Sequence, residues 1–287
     1  MIKIILYFMV AMPLISTSQE AYWQQEVNYN MQLDVDVKRH QLNGNQVILY
    51  INNSPDTLHK VYYHLYFNAF QPNGMMDVRS RSILDPDDRV MDRIFQLNDN
   101  EIGYHIINNL SQDGTDLSYK VEYTILEVEL AHPILPGSKT ELSMNFKSQI
   151  PVQIRRSGRD NKEGIAYSMA QWYPKIAAYD SRGWHANPYV AREFYAPWGQ
   201  FDVSITINKN YILAASGILQ NKNEIGYGYQ DDLSIDPKFN EEKLTWHFIN
   251  EKAHDFMWAA DPDYIHETAQ VPNGPKLHFF YQQSHAT

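Results

Sequence analysis

The 287 residues are 44% hydrophobic and 13% aromatic, enough apolar material to bury a real core, which excludes an intrinsically disordered chain. A net charge of −10 opposes binding to nucleic acid or anionic lipid, because both rest on neutralising phosphate. The chain has no cysteine, so thiolate metal sites, cysteine nucleophiles and disulfide staples are excluded and stability must come from core burial.

Residues 1–18 read as a secretory signal peptide: Lys3, an apolar run from Ile4 to Ile15 interrupted by Pro13, then the small residues Ser16, Thr17 and Ser18. The run is shorter than the ~20 residues needed to cross a bilayer. No later segment is long and apolar enough to span, so no stable membrane anchor is expected after cleavage. Removal of the signal takes away Lys3 and no acid, leaving a still more acidic chain. A secreted or periplasmic location follows, and the missing cysteines favour a bacterial periplasm.

Val27, Tyr29, Met31, Leu33, Val35 and Val37 alternate with polar residues, the pattern of a strand with one buried face. Asn43-Gly44 then predicts a hairpin turn, after which Val47, Leu49 and Ile51 resume the alternation. Further strands are expected at 61–67, 119–130, 141–150, 201–207, 244–249 and 277–281. Helical periodicity is scarce, and the best candidate is a short turn at 87–95 with Val90, Ile94 and Phe95 on one side. Polar inserts at 71–82, 98–116 and 221–240 read as surface loops. The expected fold is all-β, a large saddle-like antiparallel β-sandwich.

His266-Glu267-Thr268-Ala269-Gln270 comes close to the zinc helix motif His-Glu-x-x-His, but the second histidine is missing and Pro262 and Pro272 flank the segment. It reads as a polar connecting loop. Gly74-Met75-Met76-Asp77 resembles the Gly-x-Met-Glu-Asn segment of zinc aminopeptidases, yet Val78 stands where Asn belongs, and a loop is expected. Acid clusters at 85–88, 98–101 and 231–232 lack the spacing of a calcium loop and read as solvated. His254-Asp255 has no Gly-x-Ser-x-Gly elbow or other nucleophile to serve, and reads as a structural pair entering a strand. Gln171-Trp172-Tyr173-Pro174 and Gly183-Trp184-His185 concentrate large rings that either pack the core or form a platform for a sugar ring or peptide.

Those central residues also carry a family resemblance. Ala170-Gln171-Trp172-Tyr173-Pro174, Tyr179-Asp180, Gly183-Trp184-His185, Glu193-Phe194-Tyr195, Gly199, Phe201-Asp202-Val203 and Ala214-Ala215-Ser216-Gly217 resemble, in order, the amino-terminal domain of aminopeptidase N-like zinc metallopeptidases (gluzincin aminopeptidases), particularly a Bacteroidetes-type branch. Leu135-Pro136-Gly137 and residues 253–262 extend the resemblance to 22–281. After the signal peptide at 1–18, it implies an aminopeptidase-like β domain at 19–270, and at 271–287 the start of a catalytic domain truncated at Thr287. The family's β domain lends one Gln or Glu to the pocket for the substrate's first residue, from a stretch resembling Gln-Phe-Glu-Pro. Its counterparts here are Gln171 and Tyr173, with a phenol in place of the acid.

The resemblance implies that this chain carries no catalytic residue, metal ligand or cofactor, and that zinc, a downstream catalytic domain and a peptide substrate belong to the complete protein. The expected role is therefore the non-catalytic front of an exported aminopeptidase. The alternative, from a different class, is a freestanding β-sandwich that binds carbohydrate or peptide on exposed rings.

Overall fold

The computed structural model describes residues 22–83, 88–190, 194–234 and 237–283. The expected signal peptide at 1–18 lies outside these residues, as do three of the four positions of the acid cluster at 85–88 and the last four residues of the chain.

In chain order the strands of the first half are β1 (Glu26–Asp36), β2 (Gln41–Ile51), β3 (Leu58–His64), β4 (Tyr104–Gln112), β5 (Thr115–Asp116), β6 (Tyr119–Glu122), β7 (Ile125–Ile134) and β8 (Lys139–Gln149). The middle adds the short strands β9 (Gly158–Arg159), β10 (Tyr167–Met169), β11 (Lys175–Ile176), β12 (Tyr179–Asp180) and β13 (Gly183–Trp184). There follow β14 (Gly199–Asn208), β15 (Ile212–Ala215), β16 (Ile218–Leu219), β17 (Lys243–Ala253), β18 (Trp258–Asp261), β19 (Tyr264–Gln270) and β20 (Lys276–Gln282). Helix α1 covers Met75–Ser82, and a single turn, α2, covers Lys222–Ile225.

Eight strands form one sheet in the order β16-β17-β14-β1-β2-β8-β4-β5, and two four-stranded sheets, β15-β18-β10-β9 and β11-β3-β7-β6, share a core with it. Alternation decides the faces: Val27, Tyr29, Met31, Leu33 and Val35 of β1 are buried together with Phe201, Val203, Ile205 and Ile207 of β14. The second layer contributes Val61, Tyr63, Leu126, Val128, Met169 and Trp258. The fold is thus an all-β sandwich, as the alternation implies. Its strand pairs are antiparallel apart from β1 with β14, which run parallel from Tyr29↔Phe201 to Asp34↔Thr206. Among the described residues, no helix is long and apolar enough to cross a membrane.

Several local expectations are corrected. The first hairpin turns at 37–40, not at Asn43-Gly44, which lie inside β2. Asp36 decides this: its Oδ1 accepts the N–H groups of Lys38 and Arg39, both at 3.0 Å, and His40 takes a left-handed φ of 54°. Gly44 is instead a packing device, lying opposite Phe146 so closely that a Cβ would stand 2.3 Å from its ring.

The stretch 119–130 is two paired strands, β6 and β7, because Tyr123 turns the chain at φ 54°. The insert at 98–116 contains β4, an inner strand of the large sheet. The insert at 71–82 contains α1, with Gly74 as its amino-terminal cap and Asp77 fully buried, accepting from Asn73 N at 2.7 Å and from Arg81 Nε and Nη2 at 2.9 and 3.0 Å. In the turn after residue 87, Val90 and Ile94 are buried but Phe95 is exposed, with Arg81 over its ring.

Gly44→Ala will lower stability by about 1–3 kcal/mol through overpacking against Phe146. In urea unfolding the same change will cost much less on a Phe146→Leu background, since the clash is shared by the two positions. Equal costs on both backgrounds would disprove the close-packing account.

Candidate functional site

Residues 170–174 carry the chain through the core from β10 to β11, and their rings form part of that core. Trp172 and Tyr173 are fully buried, and Trp172 Nε1 donates to the carbonyl of Phe256 at 2.9 Å. Gln46, buried in β2, holds the segment from the other layer by donating from Nε2 to Pro174 O at 3.0 Å. Burial of these rings answers the question the sequence left open at 171–174 in favour of the core. Trp184 likewise leans on Tyr50, Tyr62 and Tyr179. The half-exposed indole is that of Trp198, which with Trp23, Tyr179, Tyr195 and His254 borders a cavity of ≈ 230 Å³.

Gln171 and Tyr173 converge on one carboxylate that sequence reasoning had set aside as structural. Gln171 Nε2 donates to Asp255 Oδ2 at 2.7 Å, and the Tyr173 hydroxyl donates to Asp255 Oδ1 at 3.1 Å. The backbone N–H of Phe256 donates to the same Oδ1 at 2.9 Å. Lys175 completes the cluster, with Nζ 3.2 Å from Oδ1 as an ion contact and no well-aligned hydrogen bond. Lys175 is 2% exposed.

The electrostatics follow from that burial. Loss of solvation holds the Lys175 ammonium below the ordinary lysine range, and Asp255 works against the shift. Burial, reinforced by the Asp255 charge, raises the Tyr173 phenol well above its usual value, so it stays a donor. Because a carboxylate only accepts, the Gln171 amide nitrogen must face Asp255, leaving Oε1 turned away, buried and without a partner. Gln171 also adopts a left-handed φ of 50°, a conformation that costs a non-glycine residue on the order of 1 kcal/mol.

His64 lies beside this cluster, opposite Lys175 in the β3–β11 register and stacked on Tyr66 with ring centroids 5.1 Å apart. Burial, aided by Lys175, lowers its pKa to about 4. His105, buried against Phe67 and bonded to Ser148 Oγ at 2.5 Å, is lowered to about 3 by burial.

The remaining sequence candidates stay apart from this site. His266–Gln270 belongs to strand β19, not to a loop, because residues 264–270 pair in full with 276–282. A strand cannot set residues four apart on one helical turn. Glu101 caps its own turn by accepting from Asn98 N, while Asp231 binds Lys222 and Asn223 and Asp232 binds Ser234. Among the described residues there is no group of three or more His, Cys, Asp or Glu placed to hold a metal ion.

Sequence reasoning missed Lys175, and it read Asp255 as structural without showing which groups it holds. The signal for the first was a lysine inside the apolar run Trp172–Ala178, a position that requires a counter-charge.

No protein-family model matches the chain, and no curated protein matches it. Among solved structures it is similar to a mutant M1 zinc metallopeptidase from Deinococcus radiodurans bound to a Tyr-Ser-Ala substrate, at 13% identity and a TM-score of 0.49, over 91% of this chain and 48% of that one. A second structure of that mutant gives 14% identity and a TM-score of 0.48, over 90% of this chain and 47% of that one. A further structure, of an M1 zinc metallopeptidase from Deinococcus radiodurans, gives 12% identity and a TM-score of 0.46, over 90% of this chain and 47% of that one. The chain spans about half the length of these solved chains.

Asp255→Ala will destabilise the protein by about 3–5 kcal/mol in chemical denaturation, because it strands a buried ammonium. The double variant Asp255→Ala, Lys175→Met will recover most of the loss, and a double variant as unstable as the single would refute the charge argument.

Stability will also depend on pH through the two buried histidines. Their folded pKa values lie below the unfolded value, so the stabilisation is complete above about pH 6.5 and is lost as the pH falls through about 4 for His64 and about 3 for His105. Urea midpoints measured across that window will drop, and the drop will be shallower in His64→Gln; an identical slope in the variant would contradict the assignment.

Proposed function

We propose that this chain is the amino-terminal, non-catalytic β portion of an exported zinc-dependent aminopeptidase, and that it forms one wall of the pocket receiving a peptide's amino terminus. The observation that carries the reading is the geometry of Gln171. Its nitrogen is fixed on Asp255, its Oε1 has no donor, and its backbone is strained within the stretch 171–174 that the sequence resemblance matches to the one lending a Gln or Glu to the substrate pocket. An unsatisfied buried acceptor costs about 1–3 kcal/mol; Oε1 is closed off from solvent in this structure, so a ligand's donor reaches it only when the side chains around it part. A peptide's α-ammonium is such a donor.

The fixed partner also speaks to the acid missing at Tyr173. Asp255 stands directly behind both Gln171 and Tyr173, so negative charge is present although it arrives from the turn after β17. Lys175 tempers it. In this reading, selectivity for an amino terminus comes from the oriented Gln171 carbonyl oxygen, with Asp255 setting the amide's direction.

The zinc ligands and the water-activating base belong to a further domain of the complete protein, where zinc would polarise the scissile carbonyl and acidify a bound water. The β19–β20 hairpin supplies a surface for that domain. Ile265, Ala269, Leu277, Phe279 and Tyr281 share one face of it with a single charge, Glu267 opposite Phe279, and Leu277 and Phe279 are 40% and 48% exposed. On the division at 270/271, part of the same proposal, β20 is the first strand of that further domain, and the hairpin face meets its remainder.

Two measurements test it together. Residues 19–287 alone will hydrolyse no aminoacyl reporter with or without added zinc, and metal-dependent turnover by this piece would overturn the placement of the chemistry elsewhere. In the complete protein Gln171→Ala will raise KM for peptides with a free amino terminus roughly 10–100-fold, the worth of a hydrogen bond to a charged group. An unchanged KM would remove Gln171 from the pocket.

A further inference from the structure

The cavity beside Trp198 has no part in the peptidase reading, and neither Gln171 nor Tyr173 borders it. Its volume of ≈ 230 Å³ is below the about 300–1,000 Å³ of pockets for drug-sized ligands, so an occupant must be small. Its rings come from three places in the chain: Trp23 just before β1, Tyr179 in β12, and Tyr195 and Trp198 just before β14. Neighbouring rings hold them. Trp23 stacks on Tyr179 with centroids 5.9 Å apart, Tyr195 meets His185 edge-on at 4.9 Å, and Trp198 leans on His254 at 5.0 Å. Trp198 and Tyr195 are still 49% and 47% exposed, so much of their surface is not spent on the core.

The charge around the rings has one sign. Asp180 borders the cavity, and among the described residues no lysine or arginine does. Partial burial opposes ionisation of Asp180, but His185 Nε2, 2.8 Å away, and the Arg182 N–H, also at 2.8 Å, outweigh it and hold the carboxyl below the usual range. The Arg182 guanidinium reaches Asp180 only at 3.5 Å and is 78% exposed, so water screens it. The Tyr195 hydroxyl donates to Asp180 Oδ2 at 3.4 Å, and the Tyr179 hydroxyl donates to Asp56 Oδ2 at 2.8 Å. A phenol that donates to a carboxylate gains electron density in its ring, which deepens the negative potential over the ring face. Two of the four rings are biased in this way.

We propose that this cavity binds a small quaternary ammonium ion, held among Trp23, Tyr179, Tyr195 and Trp198 with its charge balanced by Asp180. Aromatic faces attract a cation within about 6 Å of their centroids, and a carboxylate at the same place adds the counter-charge. The substitution of the nitrogen follows from hydrogen bonding. A primary ammonium must replace three bonds to water, and the carboxylate at hand is already engaged by His185, Tyr195 and Arg182. A quaternary ion has no N–H to satisfy, so rings and a negative field suffice. This binding does not depend on the peptidase reading.

The test is a titration of the chain with choline chloride at pH 7.5 and constant ionic strength, followed by Trp fluorescence and calorimetry. Choline will saturate one site with a Kd of about 1 mM or tighter. Dimethylbutanol, its uncharged isostere, will bind at least about tenfold more weakly. Trp198→Leu keeps apolar bulk at a half-exposed position but removes the indole; it will weaken choline binding about 5–30-fold, and Trp198→Phe will restore most of the affinity. Asp180→Asn will weaken binding by a similar factor. An isostere that binds as tightly as choline, unchanged affinity in Trp198→Leu, or no saturation at roughly twenty times the expected Kd would overturn the proposal.

Discussion

The parallel pairing of β1 with β14 is the constraint on which the rest of the molecule depends. β1 pairs with β2 on its other edge, so it is the seam between strands from the front of the chain and β14, β17 and β16 from the back. Parallel neighbours cannot be joined by a tight turn. The chain between them leaves and re-enters the sheet, adding β2, β4, β5 and β8 to it, and its excursions build the second layer from β3, β7, β10 and β11. Tyr29 and Phe201, opposite each other across the seam, stack at 4.8 Å, and Tyr173 meets both edge-on at 5.4 and 6.1 Å. The seam thereby fixes where residues 171–175 cross the core.

The same seam brings Asp255 to that crossing. β17 runs antiparallel to β14, and the turn that follows it places Phe256 against Phe201 and Asp255 beneath Gln171 and Tyr173. Burying an ammonium and a carboxylate contributes little net stability compared with apolar residues of the same shape, because desolvation offsets their attraction. What the pair does supply is orientation. Asp255 accepts from three donors besides Lys175, and each acquires a single direction from it. The amide of Gln171 is the member for which direction has a chemical consequence, because its second polar atom is left free.

Alternation carried the fold class and the buried faces, since burial in β1, β2 and β14 follows the period of two residue by residue. It could not carry partners: nothing in Val27–Val35 says that one neighbour comes from residue 41 and the other from residue 199. Turn chemistry misled where a side chain competed with glycine, as Asp36 did when it closed the first hairpin ahead of Asn43-Gly44. Polarity misled at 98–116, whose strand β4 buries His105 and Gln112 with their polar atoms bonded to Ser148 and Thr140, alongside Ile107 and Leu110. At the site, residue types at 171 and 173 were legible, but their partner lies more than 80 positions away and is joined to them only through the seam.

The terminal hairpin shows how such long-range placement extends to surface elements. Two strands alone are marginal in water, and β19–β20 gains support on one face only. Tyr229 inserts between the hairpin and Trp246 of the core, with ring centroids 5.8 Å from Trp246, and its hydroxyl donates to Leu213 O at 2.7 Å. Gln282 ties the far end by donating to Asp261 and to Gly164 O at 3.0 and 3.2 Å. The face carrying His266 and His278, against which Tyr229 lies, is held to the body by these contacts. The opposite face, with Leu277 and Phe279, has no such support. A hairpin anchored on one side and mostly apolar on the other, with Glu267 as that face's one charge, is ordered before anything docks on it, so a partner for that face would meet a surface already in place.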